Sequence, residues 1–191
     1  MKKIIHRAIL SIMLLLVLCL MTCANQDKQN SEDLEGAMQV YTVLAEKTMT
    51  EQADFDFESW ADMFAEDIEY VFPDDAVRNQ TRLIGKPAVI AHWKKWRENA
   101  HVESLTFSGF NHIPFKSTKN LNISGLAGVH VFSLFSSKWV FANGETTELP
   151  MNCCCHFNKD KLIDRYYTFF DRMPIVQLKD VSKHRKKEKK L

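Results

Sequence analysis

Histidines, one aspartate near a strand end and a run of cysteines are the side chains in this sequence that could do chemistry. His92 and Trp96, four residues apart, share one face of a helical stretch that opens at Gly85-Lys86-Pro87. In the apolar run Leu126 to Phe135, strand alternation puts His130, Phe132 and Leu134 on one side. In the last strand-like run, Leu162 to Asp171, it puts Tyr167, Phe169 and Asp171 on one side. A histidine near an aspartate in an apolar cavity could shuttle a proton, because histidine titrates near neutral pH and burial raises a carboxylate's pKa. Plainer roles stay open for the same residues. A strand histidine is often a hydrogen-bonded core residue, and Asp171 could cap a turn or pair with Arg165 or Arg172.

The run Cys153-Cys154-Cys155-His156 divides by alternation. Cys153 and Cys155 fall on one face, Cys154 and His156 on the other, and neither face has the ligand count of a zinc site. Adjacent strand cysteines do not readily pair, because their Cβ vectors diverge. We therefore expect small buried hydrophobes, no metal and no cofactor.

The elements that must position these residues follow from periodicity. Leu34 to Met49 repeats apolar residues at helical spacing, with Asn30, Ser31 and Asp33 available as N-caps. A second helix is expected over about Phe57 to Ala65, ending in Phe64-Ala65-Glu66-Asp67. A strand from Ile68 to Phe72 stops at Pro73, and the Gly85-Lys86-Pro87 helix follows. Then the period changes. Strands are expected over Val102 to Phe115, Leu126 to Phe135 and, after a short break, Trp139 to Ala142. Asn143-Gly144 is a hairpin signal, and Thr146 to Phe157 returns, with Pro150 marking a bulge or edge. A turn at Asn158 to Lys161 leads to the last strand. Helices first and an antiparallel meander after them define an α+β fold, with helices on one face of a curved sheet.

The ends of the chain read differently. Met1 to Thr22 has a basic start and a short apolar run, so it is a targeting segment rather than part of the fold. Residues 23–33 are polar and read as a tether, the folded domain spans residues 34–177, and residues 178–191 form a lysine-rich tail expected to be disordered. The net charge of +1 conceals this arrangement: the first 22 residues carry +3, the segment from Lys179 carries +5, and the rest carries −7. An acidic body argues against a nucleic-acid-binding domain. The basic tail could meet anionic lipid headgroups.

Two resemblances sharpen the reading. Leu20-Met21-Thr22-Cys23 resembles the bacterial lipoprotein signal, in which cleavage precedes a cysteine that becomes lipidated; Thr22 departs from the usual small residue. That resemblance implies a membrane-anchored lipoprotein of the cell envelope, tethered through Cys23. The second rests on Phe64-Ala65-Glu66-Asp67, Pro73-Asp74, Leu83-Ile84-Gly85-Lys86 leading to Val89-Ile90 and Trp93, and at the far end Phe157, Lys161-Leu162-Ile163 and Asp171. These resemble the SnoaL-like branch of the nuclear transport factor 2-like superfamily.

That resemblance implies a cone of curved sheet and helices with a pocket inside, and often a homodimer through the sheet's outer face. It implies that Asp171 stands where SnoaL-like cyclases keep an acid or base. It also implies that His92 and the His130 and Asp171 faces look into the cone. The implied pocket is walled by Trp60, Tyr70, Trp93, Trp96, Phe132, Tyr167 and Phe169, with His92, His130 and Asp171 as its polar groups. Ketosteroid isomerase shares the fold, but Phe72 stands where its base would be and Cys153 where its oxyanion aspartate would be. We expect no such isomerase activity. Three functions stay open: a binder of a small, largely apolar molecule; a cyclase, isomerase or dehydratase using a His-Asp pair; or a dimeric interaction module with a filled pocket.

Overall fold

A computed structural model of the chain describes residues 36–72, 82–171 and Ile175. The targeting segment, Cys23, the tether, the N-cap candidates and the basic tail lie outside the described residues. The chain divides into two compact units at Val40/Tyr41. Residues 36–40 of the first are helical, and the account below concerns the second.

Helix α1 covers residues 36–54. Ala45, Met49 and Ala53 of this helix are buried at four-residue spacing, so one stripe faces the core. Helix α2, Phe57–Asp62, is opened by Asp56, whose carboxylate accepts from Ser59 N–H at 3.2 Å. Strand β1 then runs Phe64–Val71, so Phe64-Ala65-Glu66-Asp67 begins a strand instead of ending a helix. The reason is non-local. Ile163 N–H donates to Met63 C=O at 2.9 Å, which starts a parallel pairing with the last strand. Phe64 four residues after Trp60 mimics helical spacing, but both are buried in one cluster by different elements.

Strand β2, Arg82–Ile84, pairs antiparallel with β1. Gly85 adopts φ +88° as the N-cap of α3, Lys86–Ala100, with Pro87 in its first turn. Strands β3 (Val102–Ser117), β4 (Gly128–Phe141), β5 (Thr146–Phe157) and β6 (Ile163–Phe169) complete a six-stranded sheet in the order β2-β1-β6-β5-β4-β3. The sheet is mixed, because β1 and β6 run parallel while the other pairings are antiparallel. The α+β class with N-terminal helices holds.

The β4–β5 hairpin is the most regular part. Each of its pairs, from Val140↔Thr146 to Val129↔Phe157, is equidistant from Asn143. The expected break before Trp139 does not occur, because Ser137 is buried with its hydroxyl donating to Leu149 C=O at 3.1 Å and accepting from Trp139 Nε1 at 2.9 Å. Pro150 pairs with Ser136 where β6 no longer reaches β5, so its missing N–H falls on the open side of the strand.

The helices cover one face of the sheet. The core there joins α1, α2 and α3 to Ile68, Tyr70, Val131, Phe135, Trp139, Cys153, Cys155 and Tyr166. A smaller cluster, Val71, Cys154 and Tyr167 with half-buried Phe132 and Phe169, lies on the other face. Alternation thus divides the cysteine run as expected. Cys154 and Cys155 are both buried, and that burial raises both thiols, Cys154 to about 12.

Candidate functional site: an aromatic cluster under the helices

The helix-covered face holds the densest set of aromatic rings. Trp60 from α2, Tyr70 from β1 and Trp93 from α3 form a triangle, with ring centroids 5.9 to 6.2 Å apart and edge-on packing throughout. Tyr70 stacks on Tyr166 at 4.8 Å and 8°. Trp93 touches Trp96 at 5.1 Å, and Trp96 touches Trp139 at 5.5 Å. Each ring is placed by a simple local rule. Trp93 and Val89 are buried four residues apart on α3, and Ile68, Tyr70 and Phe72 point the same way by alternation on β1 and just past its end. At the rim, half-buried Phe72 lies 4.9 Å from both Tyr70 and His92.

Polar groups inside this cluster are neutral. Among the described residues no Asp, Glu, Lys or Arg is buried. Burial drives the Tyr70 and Tyr166 hydroxyls well above the usual phenol range, so they stay protonated. Trp60 Nε1, Trp93 Nε1 and the Tyr70 hydroxyl are all buried without a hydrogen-bond partner. Gln52 and Thr168 lie close enough to the Tyr70 hydroxyl to lower its pKa, against the larger effect of burial. An unmet buried donor costs about 1–3 kcal/mol, so three on mutually touching rings are expensive to keep.

The residues singled out from the sequence divide between the two faces. Trp60, Tyr70, Trp93 and Trp96 belong to the helix-covered cluster, with His92 at its rim. Phe132, Tyr167 and Phe169 belong to the opposite face, as does His130 by its strand parity. The expectation that the His130 and Tyr167 faces look toward the helices is therefore corrected. On β4 the inward set is Val131, Phe135, Trp139 and Phe141, and on β6 it includes Tyr166.

His130 and Asp171 are not brought together. Phe169 shares a row with Asn152 and Leu134, four residues along β4 from His130. At ~3.3 Å per residue that is about 13 Å, and Asp171 lies two residues further on, past the end of β6, and is exposed.

His130 has other company. Its Nδ1–H donates to Gly128 C=O at 3.2 Å, its Nε2 lies 2.9 Å from Ser124 Oγ, and its ring stacks on Phe115. Directly across the hairpin is His156, 4.7 Å between ring centroids. His156 Nδ1 meets Asp164 Oδ1 at 2.5 Å and its Nε2 meets Ala127 C=O at 3.1 Å. Gly128 makes room for this ring: at φ +128°, an added Cβ would sit 2.7 Å from His156 Nε2. Burial is the main cause that lowers the His130 pKa, and nearby His156 adds to it. These bonds fasten Ser124, Ala127 and Gly128, in and beside the β3–β4 connection, to the sheet. His156 opposite His130 was available from the sequence by counting outward from Asn143. The Asp164 contact was not, because it depends on a register shift between β5 and β6 beside Phe157.

No family model and no curated protein sequence matches the chain. Solved structures do. A candidate polyketide cyclase from Xanthomonas campestris pv. campestris aligns over 72% of this chain and 94% of its own, with 17% identity and a TM-score of 0.54. A nuclear transport factor 2-like protein of unknown function from Burkholderia pseudomallei K96243 aligns over 72% and 95%, with 14% identity and a TM-score of 0.55. A candidate SnoaL-like polyketide cyclase from Shewanella denitrificans OS-217 aligns over 72% and 95%, with 15% identity and a TM-score of 0.51. The domain has the SnoaL-like, nuclear transport factor 2-like fold, as the sequence resemblance implied. At these identities the likeness concerns the fold, and the site has to be argued from its own residues.

Proposed function

We propose that this domain binds a small, neutral, largely apolar molecule among the aromatic rings between its helices and sheet. The observation that carries this reading is the Trp60–Tyr70–Trp93 triangle. It is a buried aromatic wall with no buried charge among the described residues and a half-buried rim at Phe72 and His92. Such a lining suits stacking on a flat ligand, with few polar groups to orient it. The acid–base alternative needed His130 and Asp171 to converge, and they lie in different places. Native mass spectrometry of the full chain purified from its host tests the proposal. A co-purified small molecule that is lost in a Trp93→Ala variant supports it. Protein that carries no ligand, and binds none from a panel of bicyclic aromatic compounds, overturns it.

A second reading concerns the opposite face. Ile113 (48% exposed), Phe115 (36%) and Leu134 (38%) are open to solvent there, and pairing places Ile113 beside Phe132 and Phe115 beside His130. A second copy of the chain seated on this patch would cover it. Sedimentation equilibrium should show a dimer that Leu134→Glu converts to monomer. We further propose that the domain works at the bacterial envelope, held there by lipidated Cys23. Metabolic labelling with palmitate, lost in Cys23→Ser, is the expected result.

A further inference from the structure

We propose that His156 is held as an imidazolium and acts as a proton-operated catch on the β3–β4 connection, residues 118–127. The catch is closed while both ring nitrogens carry protons and is released as pH rises. It concerns the sheet face away from the helices and does not rest on the binding reading above.

The assignment follows from what each ring nitrogen faces. His156 Nδ1 lies 2.5 Å from Asp164 Oδ1, and its Nε2 lies 3.1 Å from Ala127 C=O. An ionised carboxylate and a backbone carbonyl only accept, so satisfying both takes a proton on each nitrogen, with Asp164 as the counter-charge. His130 differs. Its Nδ1 faces Gly128 C=O, but its Nε2 faces the Ser124 hydroxyl, which can donate, so one proton satisfies that ring. The two ring centroids are 4.7 Å apart, and a second cation there would be repelled by the first.

The remaining neighbours leave this assignment in place. Arg165, the register partner of His156 on β6, turns its Nε to Glu69 at 3.3 Å and its Nη1 to Asp164 C=O at 2.6 Å. Cys154, on the same face of β5, stays a thiol because burial raises it. Strand β3 contributes uncharged Phe115, stacked on His130.

Losing one proton costs His156 one of its two bonds. The remaining N–H stays with the carboxylate, because a charge-assisted bond is the stronger. The Nε2 lone pair then faces Ala127 C=O, and two acceptors repel. The ring has little room to turn away on that side, since a Cβ at Gly128 would already sit 2.7 Å from Nε2. Ala127 is therefore let go, while Ser124 keeps its bond to His130.

Imidazole proton–nitrogen correlation spectra of the isotope-labelled full chain read the protons directly. At pH 7 His156 should show two protonated nitrogens and His130 one, at Nδ1. Hydrogen exchange followed by mass spectrometry reads the connection, as protection relative to the unfolded-chain rate at each pH. Protection over residues 118–128 should fall about tenfold between pH 7 and pH 9, the effect of one net hydrogen bond, while residues 131–137 of β4 keep theirs. In Asp164→Asn, which keeps an acceptor but loses the charge, the lower protection should already be present at pH 7. A single protonated nitrogen on His156 at pH 7, protection unchanged up to pH 9, or wild-type protection in Asp164→Asn at pH 7 overturns the proposal. The two wild-type measurements decide it if the variant fails to fold.

Discussion

The two faces of this sheet use their polar groups in opposite ways. On the helix-covered face, Trp60 and Trp93 bury indole N–H groups that nothing among the described residues meets. On the other face, His130 is hydrogen-bonded to Ser124 and Gly128 and His156 to Asp164 and Ala127, and the two imidazole rings touch. A satisfied cluster is a means of holding structure, and here it fastens part of the β3–β4 connection. An unsatisfied one is a cost that a bound molecule can remove. The sequence draws attention to histidines and an aspartate, yet the contrast directs the search for a ligand site to indoles and a phenol.

The largest effect should come from the centre of the aromatic face. Trp60 contacts Phe57, Phe64, Tyr70 and Trp93 and is fully buried. Trp60→Ala should cost about 3–5 kcal/mol, read as a lower urea midpoint. On the other face, Gly128→Ala should cost about 1–3 kcal/mol, because it combines a clash with His156 Nε2 and an unfavourable φ. If Gly128→Ala were neutral, the histidine cluster would not be rigid, and the contrast between the faces would weaken.

How much of this was legible in the sequence depends on whether the deciding contact is local. Strand β5 was readable to the residue, because the Asn143-Gly144 turn and the return run to Phe157 are local signals. The boundary between α2 and β1 was not, because β6 sets it from a hundred residues away. The facing of β4 looked ambiguous, since both parities are apolar near Val131 and Phe132. Yet the even positions lead to exposed Lys138, while the odd ones continue through Trp139 and Phe141. On β6 and just past it, Arg165 and Asp171 share the parity of Tyr167 and Phe169, and that too marked the face away from the helices. Following the charges along each strand, not the histidine, would have given the right face.

A smaller effect should appear with pH. His130 is buried and its pKa is lowered below that of a free histidine, so the unfolded chain binds the proton more readily than the folded one. The stability this ring contributes is present above the unfolded pKa of about 6.5 and is lost as pH falls through the folded value. The groups facing it are Phe115, Ser124, Gly128 and His156, with Asp164 beyond. Urea midpoints compared at pH 7.5 and pH 5 should therefore drop more in the wild type than in His130→Phe. Parallel curves would remove His130 as the cause.

The smallest expected change is the one that most sharpens the comparison. Tyr70→Phe deletes a buried hydroxyl that meets no well-aligned hydrogen-bond partner among the described residues, with Gln52 and Thr168 its nearest polar neighbours. Removing an unmet polar group leaves nothing stranded, so the variant should match the wild type within ~0.5 kcal/mol or exceed it by up to ~1 kcal/mol. A satisfied hydroxyl behaves otherwise. Ser137 donates to Leu149 and accepts from Trp139 Nε1, so Ser137→Ala should strand two partners and cost about 1–3 kcal/mol. Both positions are fully buried on the same face, so burial cannot explain a difference between them. If Tyr70→Phe costs as much as Ser137→Ala, Gln52 or Thr168 bonds the hydroxyl in solution, and Tyr70 is not an open donor. If it costs nothing, the fold does not depend on that hydroxyl.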